Sequence, residues 1–309
     1  MDIEYLLWLQ NLRNSLNCAA LDKFMEGISF FAISYIFLIF GIIYWGINKR
    51  SGLYIMASFA FGDMVNSLAK LVACIRRPWI RDARIIPAGN AIETATGYSF
   101  PSGHTSVITQ ISGGTAVCLR RAGYKLFSWL FIALILVVGF SRNYLGVHTP
   151  QDVVVGLCIG LITLYVMSKI FAFIDKHQSS ENLFLILGLI FAGAILYYVN
   201  VKDYPVYEKI DPKVMVNDTW ASAGRVLGLV LGRFVEKYCI KFTPEGFNLK
   251  SCILIVIGLV IFGLMIYGLE PILIGNLGAY YGRMANGFLH MFFVLAVWPV
   301  VLKIFQGSK

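Results

Sequence analysis

The sequence predicts an all-α fold, a polytopic transmembrane helical bundle of about nine spans preceded by an N-terminal interfacial helix, and three observations carry that prediction. Of its 309 residues 58% are hydrophobic and 14% charged, against roughly 25% charged in an ordinary soluble domain. Apolar runs recur at the ~20-residue length that a helix needs to cross ~30 Å of hydrocarbon. Between two of the longest runs lies a polar island, Ser141 to Asp152, that holds an arginine, a histidine and an aspartate. Ionisable groups in such surroundings are costly and mark function.

Taken in order, residues 3–25 place Leu6, Leu9, Leu12, Leu16 and Leu21 among polar residues at helical spacing, the pattern of an amphipathic helix lying in the interface or packed on the end of the bundle. The acidic Asp2, Glu4, Asp22 and Glu26 precede the first long apolar run, unlike the basic start of a cleaved leader, so the N-terminus is expected to be retained. The nine candidate spans are 28–46, 52–74, 103–121, 126–144, 150–174, 183–201, 219–238, 252–270 and 278–304. Three regions follow: the interfacial helix at 1–27, a catalytic helix bundle at 28–175 and a C-terminal transmembrane extension at 176–309.

The formal net charge of +9 is spread over short loops, which fits topology rather than nucleic-acid binding. With nine crossings, Lys49, Arg50, Arg120, Arg121, Lys125, Lys169 and Lys176 fall on one side, while the other is rich in Asp and Glu. The positive-inside rule makes the first side cytoplasmic and places the N-terminus outside. Gly224, Gly228 and Gly232 form a small-residue face for close helix packing. The six cysteines show no CxxC pair or ligand spacing; they read as packing residues, and no metal or cofactor is implied.

Three stretches then meet on one membrane face by alternation of spans: Lys70 to Pro78, Pro101 to His104, and Ser141 to Asp152. Lys70, Arg77 and Arg142 are cations without an equal number of nearby acids, and guanidinium groups suit phosphate oxygens. Ser102 and Gly103 open a helix, where backbone N–H groups and the dipole favour an anion and a glycine permits close approach. His148 and Asp152 are spaced i, i+4 about a helix start with Thr149 as N-cap and Pro150 first in the helix. An aspartate holding one imidazole nitrogen leaves the other to attack phosphorus, so His148 is the candidate nucleophile and Asp152 its orienter. His104 is the candidate acid for the leaving alkoxide and base for water. The scheme is phosphoryl transfer through phosphohistidine, without a metal.

K-x6-R-P at 70–78, P-S-G-H at 101–104 and S-R-x5-H-x3-D at 141–152 resemble the three signature stretches of the type 2 phosphatidic acid phosphatase superfamily, which also includes glucose-6-phosphatase and the vanadium haloperoxidases. The resemblance covers roughly the first 175 residues. It implies the roles given above to Lys70, Arg77, Ser102, Gly103, His104, Arg142, His148 and Asp152, and a phosphatase acting on a lipid phosphate or diphosphate, with membrane lipids as neighbours. A soluble sugar phosphate is the alternative substrate. A haloperoxidase is disfavoured by the hydrophobicity of the chain, and a phosphate-binding transporter by the complete set of nucleophile, orienter and acid.

Other polar residues have simpler expectations. Asp63 and Asn66 fit a hydrogen-bond network, and Arg225, Arg283, Asn286 and His290 fit interhelical pairing. Arg76, Trp79 and Tyr98 are expected as interfacial anchors.

Overall fold

A computed structural model describes residues 1–205, 207 and 210–306, and all its regular elements are helices. They form two compact units: Met1–Ile36, Val65–Leu164 and Val201–Val216 make the first, and Phe37–Met64, Tyr165–Asn200 and the chain from Asn217 onward make the second.

The N-terminal stretch is two helices rather than one, α1 at Asp2–Leu16 and α2 at Ala19–Ser34. The break is Asn17, in the left-handed region at φ 41°, whose N–H closes on the Arg13 carbonyl; asparagine tolerates this conformation better than most residues. Leu6 and Leu9 are buried. Buried Arg13 donates to the Tyr144 carbonyl at 3.2 Å and the Ile86 carbonyl at 2.9 Å, and the first of these caps the end of the helix that Tyr144 terminates, where a cation is favoured. This is the bundle-end packing that the amphipathic pattern allowed.

Because α2 runs on to Ser34, the expected span 28–46 is divided. Its second part is a short α3, Leu38–Gly41, continued by a π-helical turn Ile42–Ile47. The remaining elements are α4, Lys49–Ala73; the short α5, Pro78–Arg81; α6, Gly103–Arg121; α7, Lys125–Tyr144; α8, Pro150–Lys176; α9, Glu181–Val201; α10, Pro212–Val235; α11, Leu249–Phe292; and α12, Trp298–Gln306.

Among the described residues five helical runs are long and apolar enough to cross a bilayer: Lys49–Arg81, Lys125–Tyr144, Pro150–Lys176, Gln178–Val201 and Leu249–Gln306. A sixth arises if α2 and the α3 segment count together. The chain is therefore an integral membrane protein, with fewer independent apolar spans than the nine stretches suggested. The last run contains two expected spans: Gly278 takes φ 78° inside α11, and a Cβ on Gly282 would lie 2.6 Å from the Ile274 Cα, so the chain doubles back there.

Helix α6 falls below the apolar threshold because it carries Ser106, Thr109, Gln110, Ser112 and Thr115, yet His104 through Ala116 are all buried. A helix surrounded by protein can carry hydroxyls that bond to its own backbone, as Thr109 does to the Thr105 carbonyl at 2.6 Å and Thr115 to that of Ile111 at 2.7 Å. In the first unit α6 packs on α7, and α2 packs on both. Helices α7 and α8 instead expose Leu126, Leu130, Leu136, Leu161 and Ile162, side chains suited to lipid.

In the second unit the glycine face acts as expected. A Cβ on Gly224 or Gly228 would collide with the carbonyls of Met284 and Phe288, so α10 and the end of α11 approach at backbone contact. The polar residues pair between helices, Arg225 with Asp63 at 2.6 Å, Arg233 with Glu181 at 2.7 Å and Arg283 with Asp218, while Arg233 also meets Glu236 one turn along its own helical stretch at 2.6 Å.

Candidate active site

All three stretches come together within the first unit. Lys70, in the last turn of α4, donates to the Tyr98 carbonyl at 3.1 Å and faces that of Ser99 at 3.5 Å. Arg77 is 3% exposed and is clamped by backbone oxygens: Nε to Gly97 at 3.1 Å, Nη2 to Thr96 at 2.7 Å and Nη1 to Val147 at 3.2 Å. Its Nη1 also lies 2.9 Å from His148 Nε2. A guanidinium always donates, so Nε2 accepts, and the imidazole proton is assigned to Nδ1.

The Nδ1 atom faces Asp152 Oδ2 at 3.3 Å. The same carboxylate oxygen accepts from Ser99 Oγ at 2.5 Å and from the Thr149 N–H at 2.9 Å, while the Asp152 N–H reaches Thr149 Oγ1 at 3.4 Å. This reciprocal pair is a capping box at the start of α8, and it fixes the Asp152 rotamer. The loop before it is closed by the Arg142 carbonyl, which accepts from the N–H groups of Val147 and His148 at 3.2 and 3.3 Å. Asn143 Nδ2 holds the His148 carbonyl at 2.9 Å. Gly146 makes the turn at φ 73°, where a side chain would be strained.

Ser102 caps α6, its Oγ accepting from the Thr105 N–H at 3.4 Å and from Thr105 Oγ1 at 2.9 Å. Its own N–H is engaged by the Asp152 carbonyl at 2.9 Å, a correction to the expectation that this group faces an anion. The first-turn N–H groups of Gly103 and His104 have no acceptor within the helix. Gly103 lies beside Lys70: a Cβ there would meet Lys70 Cε at 3.8 Å. Gly156 holds α8 against the start of α6, since a Cβ would stand 2.5 Å from the Ser102 carbonyl oxygen.

Arg142 is 1% exposed and His104 6%. The Nη1 of Arg142 donates to Ser29 Oγ, but its Nε and Nη2, and the Nε2 of His104, are buried without a partner. Among the described residues no carboxylate forms an ion pair with Arg77 or Arg142, while Asp152 faces His148. Three cations against one carboxylate, with buried unsatisfied donors, describe a site complementary to a multiply charged anion. Burial, then the charges of Arg77, Lys70 and Arg142, hold the His148 imidazole well below its ordinary pKa, so it is neutral near pH 7.

The structure also revises some smaller expectations. Tyr98 is fully buried because its loop folds back over the end of α4, with its ring 6.4 Å from that of Tyr207; it is no interfacial anchor. Trp79 sits 5.8 Å from the Arg77 guanidinium, and Arg76 covers the Tyr207 ring at 5.3 Å. Sequence reasoning missed Ser29, Ser99 and Gly156; proximity to the P-S-G-H stretch was a weak signal for Ser99, and the other two had none.

Fold and site together define a polytopic membrane protein whose buried, cationic centre surrounds a His–Asp pair. Residues 51–176 match the family model of the PAP2 superfamily. The chain is 27% identical to lipid phosphate phosphatase delta of Arabidopsis thaliana over 74% of its own length and 55% of that protein. It is 29% identical to the undecaprenyl-diphosphatase of Sulfolobus acidocaldarius over 37% of its length and 52% of that protein, and 25% identical to glucose-6-phosphatase catalytic subunit 1 of Haplochromis nubilus over 53% and 52%. The matches thus span about half the length of these relatives. No solved structure matches.

Proposed function

We propose that the protein is a metal-independent membrane phosphatase that hydrolyses a phosphomonoester or diphosphate of a lipid through a phosphohistidine intermediate. The observation that carries this reading is the His148 ring held between Asp152 and Arg77, beside the unpartnered nitrogens of Arg142 and His104.

The substrate phosphate binds the Nε and Nη2 of Arg142, Lys70 and the start of α6, and draws the Arg77 Nη1 proton away from His148 Nε2. The freed Nε2 lone pair attacks phosphorus in line. As the P–N bond forms, the bond to the leaving oxygen breaks, and that oxygen takes a proton from His104 acting as general acid. The Nδ1–H of the phosphorylated imidazole stays on Asp152, whose charge offsets the cationic ring. Water then gives its proton to His104, attacks phosphorus and breaks the P–N bond, releasing phosphate. Lys70, Arg77 and Arg142 stabilise the charge on the equatorial oxygens, the role that metal ions fill in other phosphoryl-transfer sites.

A lipid substrate is supported by the membrane-embedded bundle and by the names of the plant and archaeal relatives. If the chain makes nine crossings, loop charge favours a site on the extracytoplasmic side. A sugar phosphate is the second reading, favoured by the similarity to a glucose-6-phosphatase. The test is phosphate release by the detergent-purified protein, in EDTA, from lipid phosphates, lipid diphosphates and glucose 6-phosphate, beside His148→Ala. Release from a lipid class by the wild type alone is expected; preference for glucose 6-phosphate would transfer the assignment to the second reading, and release that survives in His148→Ala would sink the mechanism.

A further inference from the structure

The PAP2 match begins at residue 51, yet α2, which precedes it, reaches the anion site. Ser29 on α2 is 1% exposed, and its Oγ accepts a hydrogen bond from Arg142 Nη1. A guanidinium binds a tetrahedral oxyanion best along one edge, through two parallel N–H bonds. The edge made by Nε and Nη2 is the one left without a partner in Arg142. Ser29 takes the opposite end of the group, so its bond fixes the fork without competing for that edge.

The chemistry of the partner matters as much as its position. A carboxylate at this place would pair with Arg142 and neutralise it. A hydroxyl holds the plane of the guanidinium and leaves its charge for the ligand. The surrounding contacts make the hydroxyl a fixed point: Asp22 on α2 accepts from Tyr144 Oη at 2.5 Å, and Arg13 on α1 holds the Tyr144 carbonyl at 3.2 Å. The N-terminal helices thus grip the end of α7 two residues beyond Arg142, as well as Arg142 itself.

We infer that Ser29 is a positioning residue for phosphate binding: it orients the Nε/Nη2 edge of Arg142 toward the substrate phosphate, making α2 part of the phosphate-binding apparatus. The identity of the phosphate carrier rests on the proposed function; the effect on phosphate itself does not.

The test is a double-mutant cycle on the full-length, detergent-purified protein, read as the dissociation constant for inorganic phosphate and, in parallel, as KM and kcat for hydrolysis. Ser29→Ala is expected to weaken phosphate binding about tenfold, the usual consequence of loosening one charge-assisted contact, with the loss in KM exceeding that in kcat. In an Arg142→Ala background the same change is expected to have less than a twofold effect, because Ser29 would act through a group no longer present. Equal losses in both backgrounds would show a merely structural role and overturn the inference, as would undiminished affinity in Ser29→Ala. If the wild type binds phosphate but hydrolyses nothing, the cycle still decides the role of Ser29 while the phosphatase reading fails.

Discussion

Replacing Asp152 by asparagine separates the charge of this residue from its geometry, because all three of its side-chain contacts fall on one oxygen. Ser99 Oγ, the Thr149 N–H and His148 Nδ1 reach Oδ2 at 2.5, 2.9 and 3.3 Å. An asparagine whose carbonyl oxygen takes that place accepts all three, so orientation and tautomer persist and the negative charge is lost. Phosphoryl transfer turns His148 cationic. A unit charge pair at the observed 3.3 Å is worth about 5 kcal/mol at an effective dielectric constant near 20. That is an upper limit of between three and four decades in rate at about 1.36 kcal/mol per decade; partial screening leaves an expected fall in kcat of roughly a hundredfold to a thousandfold. Asp152→Ala also strands the Ser99 hydroxyl and the Thr149 N–H, each costing about 1–3 kcal/mol, so it is expected to lower the unfolding midpoint where Asp152→Asn does not. The assay is steady-state phosphate release beside thermal unfolding for wild type and both variants. An Asp152→Asn kcat within threefold of wild type would refute the electrostatic role.

Other consequences follow from the same geometry. If His104 protonates the leaving oxygen, His104→Gln should slow an alkyl phosphate far more than an aryl phosphate whose leaving group needs no proton, by about a hundredfold or more; equal slowing of the two would remove that role. Burial and the charges of Arg77, Lys70 and Arg142 depress the His148 pKa, and the neutral ring is the reactive form, so the acid limb of kcat/KM assigned to it should lie below the ordinary imidazole value of about 6.5. Lys70→Met removes one of those cations and should move that limb upward. Measured on one substrate, whose own ionisation then cancels, a limb that stays put or moves down would contradict this electrostatic account.

The catalytic stretches were legible because each is contiguous and their residue types are rare in apolar surroundings: Arg142, His148 and Asp152 needed a reason to be there. The capping pattern Thr149-Pro150-Gln151-Asp152 also foretold the start of α8, since it depends on local spacing alone. Contacts between distant segments were not legible. Ser29 looks like any small residue in an apolar helix until Arg142 is seen beside it, and the Thr96 and Gly97 carbonyls that clamp Arg77 leave no mark in the sequence. The sequence placed α6 correctly at 103–121, although its polar side chains are tolerated only because other helices bury them. Tyr98 was misjudged because an aromatic residue near a span end suggests an interfacial anchor, whereas its loop folds inward and buries it. The break at Asn17 was equally hidden, because a single left-handed residue hardly disturbs an amphipathic pattern.

The covalent role of His148 is tested most directly by the stereochemical course at phosphorus, using a phosphorothioate analogue of the substrate ester made chiral with two oxygen isotopes and hydrolysed in water enriched in the third. Two successive in-line displacements, first by His148 Nε2 and then by water, predict net retention of configuration in the released thiophosphate. Net inversion would mean a single direct attack by water, and would contradict a phosphohistidine intermediate whatever the substrate proves to be.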